Sequence, residues 1–257
     1  MVAIRERLKI NMSRYWEVDM VRGIAIILMV FYHFMWDLNF YRVISITMTS
    51  GPWQWFARGI ATIFITVMGV SSVISYNRGV QNSGQTNLFS KFLLRGLKIF
   101  GWGLVVTLMT YLTIGRGFVV FGILHLIGFA VIVTYPFLPY QRRYLALVVG
   151  LIGIALGVYL NDKVSYDPWL IWLGVKQVGR LMVDYYPALP WVGVALMGIF
   201  TGQMLYPGGV ARFNRPDNPD QPFIRLLTFL GQHSLLIYLI HQPILQGLLI
   251  LSGIGSL

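Results

Sequence analysis

One apolar stretch near the start of the chain carries a set of groups able to move protons and bind anions: Glu17, Asp19, Arg22, His33 and Asp37. Ionisable side chains inside an apolar span are costly unless they face a cavity or a partner, so such a set marks functional ground. Arg22 and His33 are eleven residues apart, almost three helical turns, which places them on one face about 16 Å apart along the axis. Asp37 follows His33 by four residues, so on a helix the two side chains can meet. A carboxylate that holds one imidazole nitrogen fixes the tautomer and leaves the other nitrogen as a general base. The plainer reading is that Asp37 ends the helix at the interface and His33 satisfies a polar core. The stripe shared with Arg22 favours chemistry.

A second group is cationic. Lys91, Arg95 and Lys98 succeed one another at three- or four-residue spacing and form one basic face on a helix. Ordinary anchoring at the cytoplasmic surface explains such a face, and so does a phosphate-binding patch. Of the other histidines, His233 reads as a packing element. His125 and His241 are candidates to line the cavity of His33, with the external Arg58 and Asp184 either completing it or serving as interface charges. No closely spaced ligand set accompanies the histidines, so a metal or haem site ranks last. A transporter that passes an ion or solute along the polar stripe stays open as an alternative, although paired broken spans are lacking.

Positioning these residues requires helices that cross a membrane. Of 257 residues, 56% are hydrophobic and only 11% charged, with a mean hydropathy of +0.67. A soluble domain of this length needs more charge to cover its surface. The apolar residues also fall in runs long enough to cross about 30 Å of hydrocarbon. The expected fold class is all-α: a polytopic transmembrane helical bundle, one domain over residues 1–257. Seven spans are expected, at about 20–36, 53–76, 89–112, 118–138, 144–160, 189–206 and 226–251. The segment from Asn161 to Ala188 holds the semi-apolar piece PWLIWLGVKQVGRLM. It reads as an interfacial helix or as an eighth span interrupted by Lys176 and Arg180.

The net charge of +11 sits at the ends of apolar runs, where it sets topology and meets anionic lipid headgroups; nucleic acid is not an expected partner. With the N-terminus in the cytoplasm, fourteen Lys and Arg fall on the inner side and six on the outer. The basic stretch from Arg5 to Arg14 precedes a run that carries Asp19, Arg22 and His33 and no A-x-A site, so it reads as a retained first span rather than a signal peptide. The absence of cysteine excludes disulfides, thiolate metal sites and a cysteine nucleophile. Gly69, Ser71 and Ser72, and Gly193 and Gly198, are expected at close helix contacts.

The segment DMVRGIAIILMVFYHF resembles the first span of the transmembrane acyltransferase superfamily, whose mark is an Arg, ten residues and a His. Arg22 and His33 match that spacing. FITVMGVSSVIS, RGLKIFGWG, YYPALPWVGVALMGIFTG and LLTFLGQHSLLIYLIHQPIL extend the likeness over most of the chain. Together they resemble the bacterial relatives of heparan-alpha-glucosaminide N-acetyltransferase. The resemblance implies transfer of an acetyl group from cytoplasmic acetyl-CoA to an external acceptor, commonly a sugar or glycolipid, across the bacterial cytoplasmic membrane. It puts His33 at the catalytic position, with Arg95 and Lys98 at a basic pair in the third span. Lys98 lacks the planar fork of the Arg expected there. For the activity that the resemblance implies, Asp37 is expected to orient His33, His125 is the candidate oxyanion donor, and Arg22 joins the donor site. Arg58, Asp184 and His241 are candidate acceptor contacts. The chain is shorter than the lysosomal enzyme and lacks a large external domain. The expectation is therefore a small or lipid-linked acceptor, or a partner such as a second copy in a homodimer.

Overall fold

The computed structural model describes residues 14–179, 182–214 and 221–254. They form two compact units, one from the chain's two ends and one from its middle, divided near Met48 and residue 215. Eight α-helices carry almost all the regular structure among the described residues: α1 Trp16–Phe40, α2 Gly51–Ser83, α3 Phe89–Ile114, α4 Ile123–Val133, α5 Arg143–Leu160, α6 Ala188–Leu205, α7 Pro222–Gln232 and α8 Ser234–Leu251. Six helices among the described residues are long and apolar enough to cross a membrane, and the chain is an integral membrane protein.

The terminal unit contains α1, α7 and α8. α1 runs unbroken through both Arg22 and His33, as their shared stripe requires. The expected seventh span is instead two helices, α7 and α8, which meet at His233. Close packing of α7 on α1 accompanies this break. A Cβ on Gly23 would collide with the Leu227 carbonyl, and one on Gly231 with the Asp19 carbonyl. Backbones that approach so closely need glycine on both sides.

The middle unit contains α2 to α6. α2 has Pro52 in its first turn and stops at Gly84, whose φ of 68° suits glycine. Gly69 of α2 lies against Ala195 and Gly198 of α6, so close that a Cβ added at Gly69 would stand 2.6 Å from Ala195 O. Gly193 of α6 lies equally close to Gly150 of α5. The glycines singled out in spans 2 and 6, Gly69, Gly193 and Gly198, therefore do bring helices together.

The expected span over 118–138 is the main departure. α4 has only 11 residues, about 16 Å of helix, too short to cross hydrocarbon. The apolar residues before it stay irregular because other elements satisfy their backbone. Thr107 Oγ1 donates to Val119 O at 2.8 Å, and Val119 N donates to Thr110 Oγ1 at 3.1 Å. Val183 N and Tyr186 N donate to Gly117 O and Phe121 O at 3.0 and 2.9 Å. Non-helical backbone is tolerated at membrane depth only with such partners. Leu138 is followed by Pro139, and no α-helix resumes until Arg143.

Between Asn161 and Ala188 the described residues form neither an interfacial α-helix nor an eighth span. They contain a 3-10 helix over Pro168–Leu173 and a two-stranded parallel ladder that pairs Val164 with Lys176 and Ser165 with Gln177. Arg180, the second charge expected to break a span there, and the basic residues Arg5, Arg7 and Lys9 lie outside the described residues.

Candidate active site

In the terminal unit the structure brings together His33 and Asp37 of α1 with His241 and Gln242 of α8. His33 Nδ1 lies 3.0 Å from Met29 O and 3.3 Å from His241 Nε2. His241 Nδ1 lies 2.7 Å from Tyr238 O and 3.2 Å from Ile237 O. Carbonyl oxygens only accept, so both Nδ1 atoms carry hydrogen. Each neutral ring therefore has a bare Nε2. His241 Nε2 accepts from His33 Nδ1–H, a proton shared with Met29 O. His33 Nε2 has no hydrogen bond among the described residues and presents a lone pair. Pro243 lies within α8 and has no N–H to give to the carbonyl of Leu239 one turn before it.

The predicted contact between His33 and Asp37 is not the one formed. Asp37 is only 2% exposed, and its Oδ1 accepts from Gln242 Nε2 at 2.6 Å. Asp37 Oδ2 and Gln242 Oε1 are both buried without a hydrogen-bond partner. Gln246, one turn further along α8, is a second amide near the carboxylate. Neighbours four apart on a helix can meet, but a longer amide reaching from α8 takes the carboxylate first. Gln242 and Gln246 are not among the residues singled out by sequence reasoning. Their signal is their own i, i+4 spacing beside His241, which puts two amides on one face of α8.

Arg22 sits at the other end of the α1 stripe. Its Nη1 donates to Asp19 Oδ1 at 2.7 Å, an ion pair three residues apart at the crossing with α7. Asp19 is 6% exposed, and its Oδ2 has no hydrogen-bond partner. The pair anchors the guanidinium in one direction.

The remaining candidates belong to the middle unit. His125 is 2% exposed, and its hydrogen-bonding capacity is filled. Gly122 N donates to Nδ1 at 3.2 Å, so the proton is on Nε2, which meets Thr107 Oγ1 at 3.3 Å. Thr107 Oγ1 in turn donates its hydrogen bond to Val119 O. The ring stacks on Phe121 and takes the edge of Phe100, at centroid distances of 5.7 and 5.0 Å. Asp184 Oδ2 accepts from Ile123 N at 3.2 Å. Its φ of 49° is a left-handed conformation that Asp tolerates. His125 and Asp184 thus both satisfy the first turn of α4, where unpaired N–H groups need acceptors.

Arg58 lies over the Trp55 ring at 5.2 Å, a cation–π contact within α2. Lys98 is exposed and Arg95 half-buried on α3. Lys91 Nζ reaches Ser75 O at 3.4 Å. In the loop ahead of α6, Tyr185 donates its hydroxyl to Ile171 O at 2.6 Å. Burial pushes that phenol up to about 12. Among the described residues no three His, Cys, Asp or Glu side chains gather where they could hold a metal ion.

The family model described as heparan-alpha-glucosaminide N-acetyltransferase, catalytic, matches residues 14–243. No curated protein matches the chain, and no solved structure does.

Proposed function

Because the chain belongs to the family of the heparan-alpha-glucosaminide N-acetyltransferase catalytic domain, we propose that it moves an acetyl group from cytoplasmic acetyl-CoA to a hydroxyl or amine on the external side. The acceptor is a sugar or glycolipid, and the membrane is the bacterial cytoplasmic membrane with the N-terminus inside. The coarser identity stands apart from these details: an integral membrane protein of an acetyltransferase family.

The observation that carries the proposal is the state of His33. Its Nδ1 proton is committed to Met29 O and His241 Nε2, which leaves Nε2 as a base of fixed tautomer and direction. Such a base takes the acceptor's proton as its oxygen or nitrogen attacks the thioester carbonyl. The cations read from the sequence as donor contacts, Arg95 and Lys98 on α3 and Arg22 on α1, each offer positive charge suited to the phosphates of the donor. Asp37 contributes by latching α1 to α8 through Gln242, one turn from the histidine pair. His125 and Asp184 take no part, since α4 already uses them.

The test is binding of CoA and acetyl-CoA to the purified protein in detergent, beside an Arg95→Ala/Lys98→Ala variant. Saturable binding that the double substitution weakens by about tenfold or more supports the donor site. A folded protein that binds neither ligand ends the proposal.

A further inference from the structure

His241 is expected from the sequence among the contacts of the acceptor, yet its ring is turned to His33 and to its own helix. Both sides of the ring are occupied. Nδ1–H is held by two carbonyls of the preceding turn, Tyr238 O and Ile237 O, and Nε2 meets His33 Nδ1. The ring centroids are 4.8 Å apart with planes at 63°, an edge-on approach that aims a nitrogen of one ring at the other. His241 is 8% exposed. A residue so placed acts on a substrate through His33.

We infer that His241 is a positioning residue that shares the positive charge His33 acquires, so that the two rings work as one base. The inference rests on the reading of His33 as the proton acceptor. In the resting pair each ring carries one hydrogen, on Nδ1. The acceptor's X–H bond breaks as X bonds to the thioester carbonyl carbon, and His33 Nε2 takes that proton. His33 is now an imidazolium, and its Nδ1–H faces the only bare ring nitrogen in the pair, His241 Nε2. The bond between them shortens and strengthens with the charge, and the proton can cross to His241. The tetrahedral intermediate then collapses: the carbon–sulfur bond breaks and the thiolate leaves with the electron pair. His33 Nε2–H protonates the thiolate, and His241 returns its proton to His33 Nδ1. Both rings end as they began, and the acceptor's proton ends on the thiol of CoA.

This division of labour corresponds to that of a carboxylate behind a catalytic histidine, with a difference that matters in hydrocarbon. A neutral imidazole behind the base avoids burying a second formal charge in the resting state. It also explains why the nearby Asp37 can be given over to Gln242: the position behind His33 is already filled.

The test uses the full chain in detergent, with three forms: wild type, His241→Gln and His241→Ala. Gln can place an oxygen near the position of Nε2 and accept a hydrogen bond, but it cannot take a proton. Ring 15N NMR reads the first part of the inference without any substrate. Both His33 and His241 should appear as neutral rings with hydrogen on Nδ1 and a bare Nε2; hydrogen on Nε2 of either ring overturns the arrangement. Kinetics with acetyl-CoA and glucosamine, which offers an amine and hydroxyls, read the second part. His241→Ala should lower kcat on the order of 10²-fold with little change in KM for either substrate. His241→Gln should recover part of that loss, while the solvent-isotope proton inventory falls from two protons in motion to one. A raised KM for glucosamine alone would make His241 a substrate contact, and an unchanged kcat in His241→Ala would end the inference. Wild-type protein that fails to acetylate glucosamine counts against the proposed acceptor chemistry, and the NMR result still decides the pair.

Discussion

His33 and His125 are both histidines on apolar helices, with both rings among aromatic or imidazole neighbours, and the two units of the protein treat them oppositely. In the middle unit the His125 ring is closed. Gly122 N–H enters at one nitrogen, Thr107 Oγ1 meets the other, and the proton chain ends on the Val119 carbonyl. In the terminal unit the His33–His241 pair is open at one end. Every proton is directed inward, and the last nitrogen in the series, His33 Nε2, has no hydrogen bond among the described residues. The same unit buries Asp37 Oδ2, Gln242 Oε1 and Asp19 Oδ2 without partners. Buried polar atoms are ordinarily paired because desolvation is costly. Three of the four exceptions among the described residues lie on α1 and α8, the fourth being Gln203 Oε1 of α6. Those at Asp37 and Gln242 sit beside the histidine pair, as suits a site kept ready for a substrate or a proton. A histidine with all its capacity filled holds structure together, and one with a lone pair left over can do chemistry.

The sharpest way to break this contrast is His33→Ala. The expected loss is on the order of 10³-fold or more in acetyl transfer, with the thermal midpoint and CoA binding nearly unchanged. Retained activity in a folded variant would place the base elsewhere. Asp37 offers the next largest effect and separates two roles. Asp37→Ala removes the latch to Gln242, so the two helices lose register beside the histidine pair, and activity should fall by about tenfold or more. Asp37→Asn keeps an oxygen for Gln242 Nε2 and should retain most of the activity. Equal damage from Asn and Ala would mean that the negative charge itself is needed, as it would be if the carboxylate stood behind His33.

The opposite pattern is expected in the middle unit. His125→Ala leaves Gly122 N–H without its acceptor, Thr107 without its ring partner, and a void between Phe100 and Phe121. The stability loss is about 2–4 kcal/mol, seen as a lower thermal midpoint in detergent. Activity per folded molecule should stay close to wild type. A stable but inactive His125→Ala protein would restore the oxyanion role and remove the contrast.

Much of this contrast is legible in the residues. The α1 stripe, the spacing of Arg22 and His33 and the small residues of α2 and α6 follow from helical periodicity alone, which is local. Partner choice is not legible. Four-residue spacing permits a contact between His33 and Asp37, but only the approach of α8 decides that Gln242 takes the carboxylate and His241 takes the imidazole. The run over 118–138 is apolar enough to span, and its hydropathy carries no sign that Thr107, Thr110 and the loop at Val183 and Tyr186 satisfy an irregular backbone there. The division of the last apolar run at His233 is hidden for the same reason, since it coincides with the contact of Gly231 with Asp19 across helices.

The smallest effect is expected at Tyr185, which belongs to the closed, structural side of the comparison. Its hydroxyl donates to Ile171 O at 2.6 Å and ties the residues ahead of α6 to the 3-10 helix over Pro168–Leu173. Tyr185→Phe removes that one bond and should cost about 1 kcal/mol, with no change in transfer activity. The phenol is pushed up to about 12 by burial, above the ordinary value near 10. The folded state therefore holds this proton more tightly than the unfolded state. Its contribution is fully present below about pH 10 and is lost as the pH rises from about 10 toward 12. The difference in thermal midpoint between wild type and Tyr185→Phe should be constant from neutral pH to about 10 and shrink above it. A difference that persists unchanged at pH 12 would show that the hydroxyl stabilises the loop by packing rather than through its proton.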